Sequence, residues 1–191
     1  MVGVLALQGD FQAHGRVLRE LGAEVREVRL PQELDGLDGL VIPGGESTTI
    51  GKLLIEYGLM GPLRERTRAG WPVFGTCAGA ILLAQDIGGL DQPLIGGLDV
   101  RVERNSFGRQ IDSFETSLHF PALGKEPVPA VFIRAPRILG AGPGVDVLAT
   151  LPDGTHAAVR QGRLLATTFH PELTRDRRVH RYFLDVLGGD G

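Results

Sequence analysis

Cysteine is nearly missing from this chain, since Cys77 is the only one in 191 residues. A lone cysteine cannot form an internal disulfide, which excludes a secreted scaffold held together by disulfide bonds. The chain also lacks an apolar run of the roughly 18 residues that span a bilayer, and its first residues lack the basic segment of a signal peptide. We therefore expect a cytoplasmic protein with no membrane partner.

An excess of charge is absent too, because the formal net charge is only -3 at pH 7. Electrostatics thus gives no reason to expect nucleic acid as a partner. The composition, 42% hydrophobic and 23% charged, is that of an ordinary globular protein. The length suffices for a sizeable core, and no repeat or linker divides the chain. We expect one domain over residues 1–191, acting as an enzyme or a binding module.

The first half of the chain alternates strand-like and helix-like segments. Strand patterns cover 2–7, 23–30, 39–45 and 71–75, and helix patterns follow around Val17–Leu21 and over 47–58 and 78–85, with Ser47 as a helix cap. Such alternation predicts a mostly parallel sheet with helices on both faces. After residue 90, short strand-like pieces dominate, and a last helix is expected over 175–187.

Three patterns resemble ligand-binding motifs but do not match those motifs in full. The stretch GESTTIGK has a spacing that is wrong by one for a phosphate-binding loop, and Leu53 follows its lysine where Mg²⁺ binding requires Ser or Thr. GAGPG at 140–144 is not followed by a helix pattern, so it does not fit a dinucleotide site. The histidines lack the spacing of metal ligands. We therefore expect neither a metal ion nor a cofactor.

Cys77 lies in the pattern Gly-x-Cys-x-Gly, between a strand and a helix. A free cysteine is often just a small buried apolar residue. This pattern, however, is the thiol version of a nucleophile elbow, in which a sharp turn presents the side chain at the carboxyl edge of the sheet. The sulfur would lie near a helix N-terminus, which favours a thiolate, and the N–H of Ala78 would face an oxyanion.

A possible base comes late in the chain, in the stretch TTFHPEL. Pro171 favours an extended conformation for His170, and residues two apart in extended chain point the same way. His170 and Glu172 can therefore serve one site as base and orienting acid. The alternative is a surface histidine followed by the start of a helix. The loop IPGGES offers the backbone N–H groups of Gly44 and Gly45 to the same oxyanion, unless it is only a tight turn.

Taken together, these motifs resemble those of the class I glutamine amidotransferases. The matching pieces are GTCAG at 75–79, PGGES at 43–47 and HPE at 170–172. Four longer stretches look like the glutaminase subunits of pyridoxal 5'-phosphate synthases, namely LALQGDFQAH, RNSFGRQIDSFE, FIRAP and FHPELT. The resemblance covers nearly the whole chain in order. It implies a flavodoxin-like three-layer α/β sandwich, with additional short strands in the second half.

The resemblance also implies a reaction. Cys77 attacks the side-chain amide of L-glutamine, His170 acts as base and then as acid, and Glu172 holds His170. A γ-glutamyl thioester forms and water hydrolyses it to glutamate, while the backbone at Gly45 and Ala78 stabilises the oxyanion.

Further residues and a partner follow from the same resemblance. The glutamine pocket is expected to include Gly45, Glu46, Ser47, Arg104, Ile133 and Arg134. A (β/α)₈ synthase subunit would take the ammonia and combine it with ribose 5-phosphate and glyceraldehyde 3-phosphate, in a complex of twelve subunits of each kind. Gln8 is expected to take part in activation by that subunit.

Three alternatives remain open at this stage. The chain could be the glutaminase of another amidotransferase pathway, such as purine or histidine synthesis. It could be a cysteine peptidase or a γ-glutamyl hydrolase on the same sheet. It could also be a binding module without catalytic activity, in which Cys77 only contributes to packing.

Overall fold

The computed structural model of the chain describes residues 1–104 and 113–189. Most of the stretch RNSFGRQIDSFE therefore lies outside the described residues. The strands are β1 (Val2–Leu5), β2 (Val25–Val28), β3 (Gly39–Ile42), β4 (Val73–Thr76), β5 (Ala84–Asp86), β6 (Leu98–Glu103), β7 (Ser113–Leu118), β8 (Val128–Ile133), β9 (Arg137–Ala141), β10 (Asp146–Thr150), β11 (His156–Gln161) and β12 (Leu164–Thr167). The α-helices are α1 (Phe11–Glu20), α2 (Ser47–Glu56), α3 (Met60–Arg68), α4 (Ala78–Leu83) and α5 (Arg178–Gly188).

One half of the central sheet is parallel, with neighbouring strands in the order β2, β1, β3, β4, β12. In β1, β3, β4 and β12 every residue is buried, as the uninterrupted apolar runs predict for strands covered on both faces. This half brings the carboxyl ends of β1, β3, β4 and β12 to one edge. Ligands bind at that edge in open α/β sheets.

The other half of the sheet is mainly antiparallel. β12 continues through β11, β9 and β6, β5 pairs in parallel with β6, and β10 pairs with β11. β7 and β8 form a separate antiparallel hairpin. These are the short strands expected in the second half of the chain. The expected flavodoxin-like α/β fold with a mostly parallel central sheet is confirmed.

Two apolar cores lie on opposite faces of the sheet. Successive residues of β3 alternate between them, with Leu40 and Ile42 in one core and Val41 in the other. The first core also contains the apolar faces of α2, α3 and α4. The second contains those of α1 and α5 and the inner face of the β7–β8 hairpin. The sheet thus separates the two helical layers, and none of the helices in the described ranges is long and apolar enough to cross a membrane.

Some boundaries differ from the sequence-based expectation. The expected cap Ser47 is instead the first residue of α2, and the Glu46 carboxylate accepts from the N–H groups of Thr48 and Thr49. The expected helix over 78–85 ends at Leu83, where the chain enters β5. The last helix begins three residues late, at Arg178, because residues 171–173 form a short 3₁₀ turn.

Helix α3 has no counterpart in the sequence analysis. Its Gly61-Pro62 pair looks like a helix breaker, but proline is tolerated in the first turn, where its missing N–H would be unpaired anyway. Met60, Leu63 and Thr67 form its buried stripe.

Candidate functional site

The backbone at Cys77 is strained. Gly75 and Gly79, on either side of this turn, are required because the chain packs too closely there for a Cβ atom, and not because the turn needs flexible residues. Cys77 joins β4 to α4 with φ 49° and ψ −101°, a conformation that non-glycine residues rarely adopt. A Cβ on Gly75 would lie 2.5 Å from the carbonyl carbon of Gly79, and one on Gly79 would overlap the Ile42 carbonyl oxygen. The two glycines therefore let α4 pack closely against the sheet, with Cys77 at the helix N-terminus.

A second strained residue lies beside the first. Among the described residues other than glycine, only Cys77 and Arg134 have a positive φ, and that of Arg134 is 42°. Arg134 directly follows β8, and the carbonyl oxygen of Ile133 lies 4.0 Å from the Cys77 sulfur. Backbone strain of this kind clusters at functional sites, where the surrounding structure holds it in place.

His170 and Glu172 come from the segment after β12. The His170 N–H donates to the Val131 carbonyl at 2.8 Å, which ties this segment to β8. His170 Nδ1 lies 2.7 Å from Glu172 Oε1, so the ring donates from Nδ1 and directs Nε2 to the cavity side. Both side chains are almost completely buried. Extended backbone through residue 172 was expected, but Pro171–Leu173 form a 3₁₀ turn, and Glu172 lies behind His170 and does not line the cavity.

Charge interactions make the two groups a tight pair. Burial opposes protonation of His170, but hydrogen bonds with Cys77 and Glu172 and their charges raise its pKa to about 10. Burial likewise favours a neutral Glu172, yet its interactions with His14 and His170 hold its pKa far below the usual range. At neutral pH the site therefore contains an imidazolium beside a carboxylate, and the imidazolium can donate a proton to a leaving group.

The glycine loop after β3 touches both His170 and Gln8. A Cβ on Gly44 would overlap the His170 ring, and a Cβ on Gly45 would overlap Gln8 Oε1. Gln8 Oε1 also accepts from the Glu46 N–H at 2.8 Å. This amide, at the end of β1, thus holds the peptide that follows Gly45.

A cavity of about 380 Å³ opens at this edge of the sheet. It contains every residue that the sequence analysis assigned to the site except Glu172, which lies behind His170. The lining residues are Gln8, Gly45, Glu46, Ser47, Cys77, Ala78, Ile81, Arg104, Ile133, Arg134 and His170.

Opposite charges meet on one wall of the cavity. Arg104 donates to Glu46 Oε1 at 3.0 Å, to Thr48 Oγ1 at 2.8 Å and to Gln92 Oε1 at 2.5 Å. Although burial alone would raise the pKa of Glu46, its hydrogen bonds with Thr49 and Thr48 lower that pKa to about 2. The carboxylate is therefore charged at neutral pH.

Sequence reasoning missed four residues at or behind this site. Ile81 lines the cavity from α4, and Gln92 holds Arg104 from the loop before β6. His14 and His180 are buried behind Glu172. His14 is the last residue of the stretch LALQGDFQAH, but nothing in the local sequence pattern indicates that His14 lies close to Glu172. Over residues 1–104 and 113–189, no group of three or more His, Cys, Asp or Glu side chains could hold a metal ion.

A strained cysteine, a histidine and a carboxylate at the carboxyl edge of an α/β sheet define a class of enzymes that use a thiol nucleophile. Comparison with known proteins narrows this class. Residues 4–188 match the SNO glutamine amidotransferase family. The chain belongs to this family.

Individual relatives agree with the family assignment. Pyridoxal 5'-phosphate synthase subunit PdxT of Moorella thermoacetica is 56% identical over 98% of this chain and 99% of its own length. The protein of the same name from Pelotomaculum thermopropionicum is 59% identical over 96% and 93%. A crystal structure of a glutamine amidotransferase superimposes with a TM-score of 0.92 at 54% identity, covering 98% of each chain. PurLQS of Thermotoga maritima, at 18% identity and a TM-score of 0.71, shares the fold.

Proposed function

We propose that this chain is a single glutaminase domain over residues 1–191 that hydrolyses L-glutamine to L-glutamate and ammonia. The observation that carries this proposal is the shared cavity of Cys77 and His170, with Glu172 hydrogen-bonded to His170 from behind. The high identity to proteins named PdxT supports the same assignment.

The chemistry follows from the positions of these groups. The proton of the Cys77 thiol is held on His170 before glutamine reacts, and the Cys77 sulfur attacks the carbon of the side-chain amide as a thiolate. Negative charge develops on the amide oxygen, which the N–H groups of Gly45 and Ala78 stabilise. The His170 imidazolium donates its proton to the departing nitrogen, ammonia leaves, and a γ-glutamyl thioester remains on Cys77. His170 then takes a proton from water, whose oxygen attacks the thioester and releases glutamate.

The charged wall of the cavity suits the other end of the substrate. Free glutamine carries a carboxylate and an ammonium group, which match the Arg104 guanidinium and the Glu46 carboxylate. Ser47, Ile133 and Arg134 line the same space and would bound the glutamine chain. The cavity thus offers a charged end for an amino acid and a thiol for its amide.

A partner must receive the ammonia before water protonates it. The relatives named as subunits of pyridoxal 5'-phosphate synthase support a synthase subunit as that partner. We propose that it is a (β/α)₈ subunit, which makes pyridoxal 5'-phosphate from ribose 5-phosphate and glyceraldehyde 3-phosphate. We further propose that the chain and the synthase subunit form a complex with twelve copies of each. Gln8 would couple docking of the synthase subunit to the conformation of the glycine loop, because its side-chain amide holds the peptide after Gly45.

The test is an assay of ammonia release from L-glutamine by the purified chain, with and without the synthase subunit of a PdxT relative's complex. We expect activity that increases when the synthase is added and disappears in Cys77→Ala. A parallel assay with γ-glutamyl peptides separates glutaminase from γ-glutamyl hydrolase activity. Full activity in Cys77→Ala, or hydrolysis of the peptides but not of glutamine, would refute the proposal.

A further inference from the structure

A chain of buried polar groups continues behind Glu172, away from Cys77. His14 Nε2 lies 3.4 Å from Glu172 Oε2 and 3.1 Å from Thr76 Oγ1. On the other side of the ring, His14 Nδ1 lies 2.9 Å from His180 Nε2. Both histidines are completely buried. Catalysis as proposed uses Glu172 Oε1 and leaves these two residues without a role.

The two histidines come from different helices on the same face of the sheet. His14 belongs to α1 and His180 to α5, and both rings meet the edge or face of Phe74 from β4. Burying a histidine among apolar side chains costs free energy unless its nitrogens are hydrogen-bonded. Two such residues, of which His14 is in contact with the Glu172 carboxylate and His180 with His14, are therefore a costly arrangement for packing alone.

Geometry decides where the protons lie. If His180 donates from Nε2 to His14 Nδ1, then His14 carries its proton on Nε2, facing Glu172 and Thr76. In the reverse arrangement a bare Nε2 lone pair would face the Glu172 carboxylate at 3.4 Å, which is repulsive. It would also leave an N–H on His180 Nδ1, an atom that has no hydrogen-bond partner within the described ranges. The first arrangement is therefore favoured.

We propose that His14 is a positioning residue for the glutaminase reaction. Its Nε2 lies 3.4 Å from Glu172 Oε2, within ion-pair distance, and its position beside that oxygen keeps Oε1 facing His170 Nδ1. His180 fixes the tautomer of His14 by donating to its Nδ1. This inference rests on the proposed function of Cys77, His170 and Glu172.

Over residues 1–104 and 113–189, no side chain makes a hydrogen bond of strict geometry with Glu172 Oε2, so the His14 ring 3.4 Å away is the polar group that supports this oxygen. Without His14 the buried carboxylate would face apolar surroundings, so it would rotate or take up a proton. His170 would then lose part of the support that keeps its ring protonated. Two titratable groups face Glu172: His170, from the same segment after β12, and His14, from α1. His180, from α5, contacts His14 and not Glu172.

The chain allows a matched pair of variants. His14→Gln keeps an amide N–H near the position of Nε2, whereas His14→Leu fills the space without a donor. In the complex with the synthase subunit, we expect His14→Leu to lower kcat roughly 10- to 100-fold, as loss of an outer partner of a reactive group commonly does. KM for glutamine should change little, because His14 lies outside the cavity. The alkaline limb of the pH–kcat profile should move to lower pH in His14→Leu and stay in place in His14→Gln.

Two controls separate positioning from packing and from failure of the proposed function. Val17→Ala removes buried apolar contact from the same helix without touching the polar chain, and it should leave the pH profile unchanged. If the wild type is inactive on glutamine or Cys77→Ala is active, the proposed function fails. If those two behave as expected while folded His14→Leu keeps the wild-type kcat and profile, the positioning role is refuted.

A spectroscopic measurement tests the inference even if His14→Leu does not fold. In the wild-type chain with ¹⁵N-labelled histidine, the nitrogen shifts and couplings report which ring nitrogen carries hydrogen, and the His14→Gln variant assigns the signals of His14. We expect a protonated Nε2 on His14 and a bare Nδ1 on His180. A bare Nε2 on His14 would overturn the proposal.

Discussion

Replacing Gly44 by alanine tests the position of His170 from the side of the glycine loop. The new methyl group would overlap the His170 ring, with its carbon 3.1 Å from Nδ1, 3.3 Å from Nε2 and closest to Cε1. Gly44 is not among the glycines with a left-handed φ, so its backbone accepts alanine without strain. Any effect therefore comes from the contact with His170.

The size of the effect follows from the overlap. Carbon atoms in contact lie about 3.5–4.0 Å apart, so the ring or the loop must retreat by about 1 Å. His170 is held by Val131 and Glu172, and the loop is held by Gln8, so neither moves freely. A misplacement of about 1 Å costs roughly 100-fold in rate. Overpacking of this kind costs about 1–3 kcal/mol of stability, so we expect a folded protein with little activity.

The assay is ammonia release in the synthase complex, together with thermal unfolding of the variant. Gly61→Ala is the matched control, because a Cβ there meets nothing within 4 Å and the residue lies in α3, away from the cavity. Because a Cβ on the residue before Pro62 is disfavoured in helical backbone, this control should gain no stability, but it should leave activity unchanged. Wild-type kcat in a folded Gly44→Ala protein would show that His170 does not lie against the loop.

Three further predictions concern charge. Glu172→Gln removes the carboxylate that helps to raise the pKa of His170 to about 10, so the alkaline limb of the kcat profile should shift to lower pH; an unshifted limb would contradict the pairing. Burial, which disfavours the charged form, lowers the pKa of His180 from 6.5 to about 3. Stability should therefore be lost as the pH falls below 6.5 toward 3, by up to about 1.4 kcal/mol per pH unit, and urea unfolding of His180→Phe should show a flatter dependence than the wild type. Arg104→Ala should raise KM for glutamine more than it lowers kcat, and an unchanged KM would remove Arg104 from the glutamine pocket.

Local patterns predicted much of the fold and part of the site. Apolar runs located the buried strands, because a strand covered on both faces admits few polar residues. The spacing of Gly75, Cys77 and Gly79 indicated the turn. Extended backbone was expected to bring His170 and Glu172 together, but Glu172 lies in a 3₁₀ turn, and the 2.7 Å contact between Nδ1 and Oε1 is made from that turn. Patterns failed at α3, where a glycine-proline pair looks like a turn, and at the cap of α2, where Glu46 took the place expected for Ser47.

The sequence by itself determined that strands and helices alternate, and that the single thiol stands at a strand–helix turn. Tertiary structure alone decided which distant side chains meet there: Ile81 and Gln92 around the cavity, and His14 and His180 behind Glu172. The physical reason is that backbone periodicity acts over a few residues, whereas the contact between His14 and His180 joins positions 166 apart and exists only because α1 and α5 pack on the same face of the sheet.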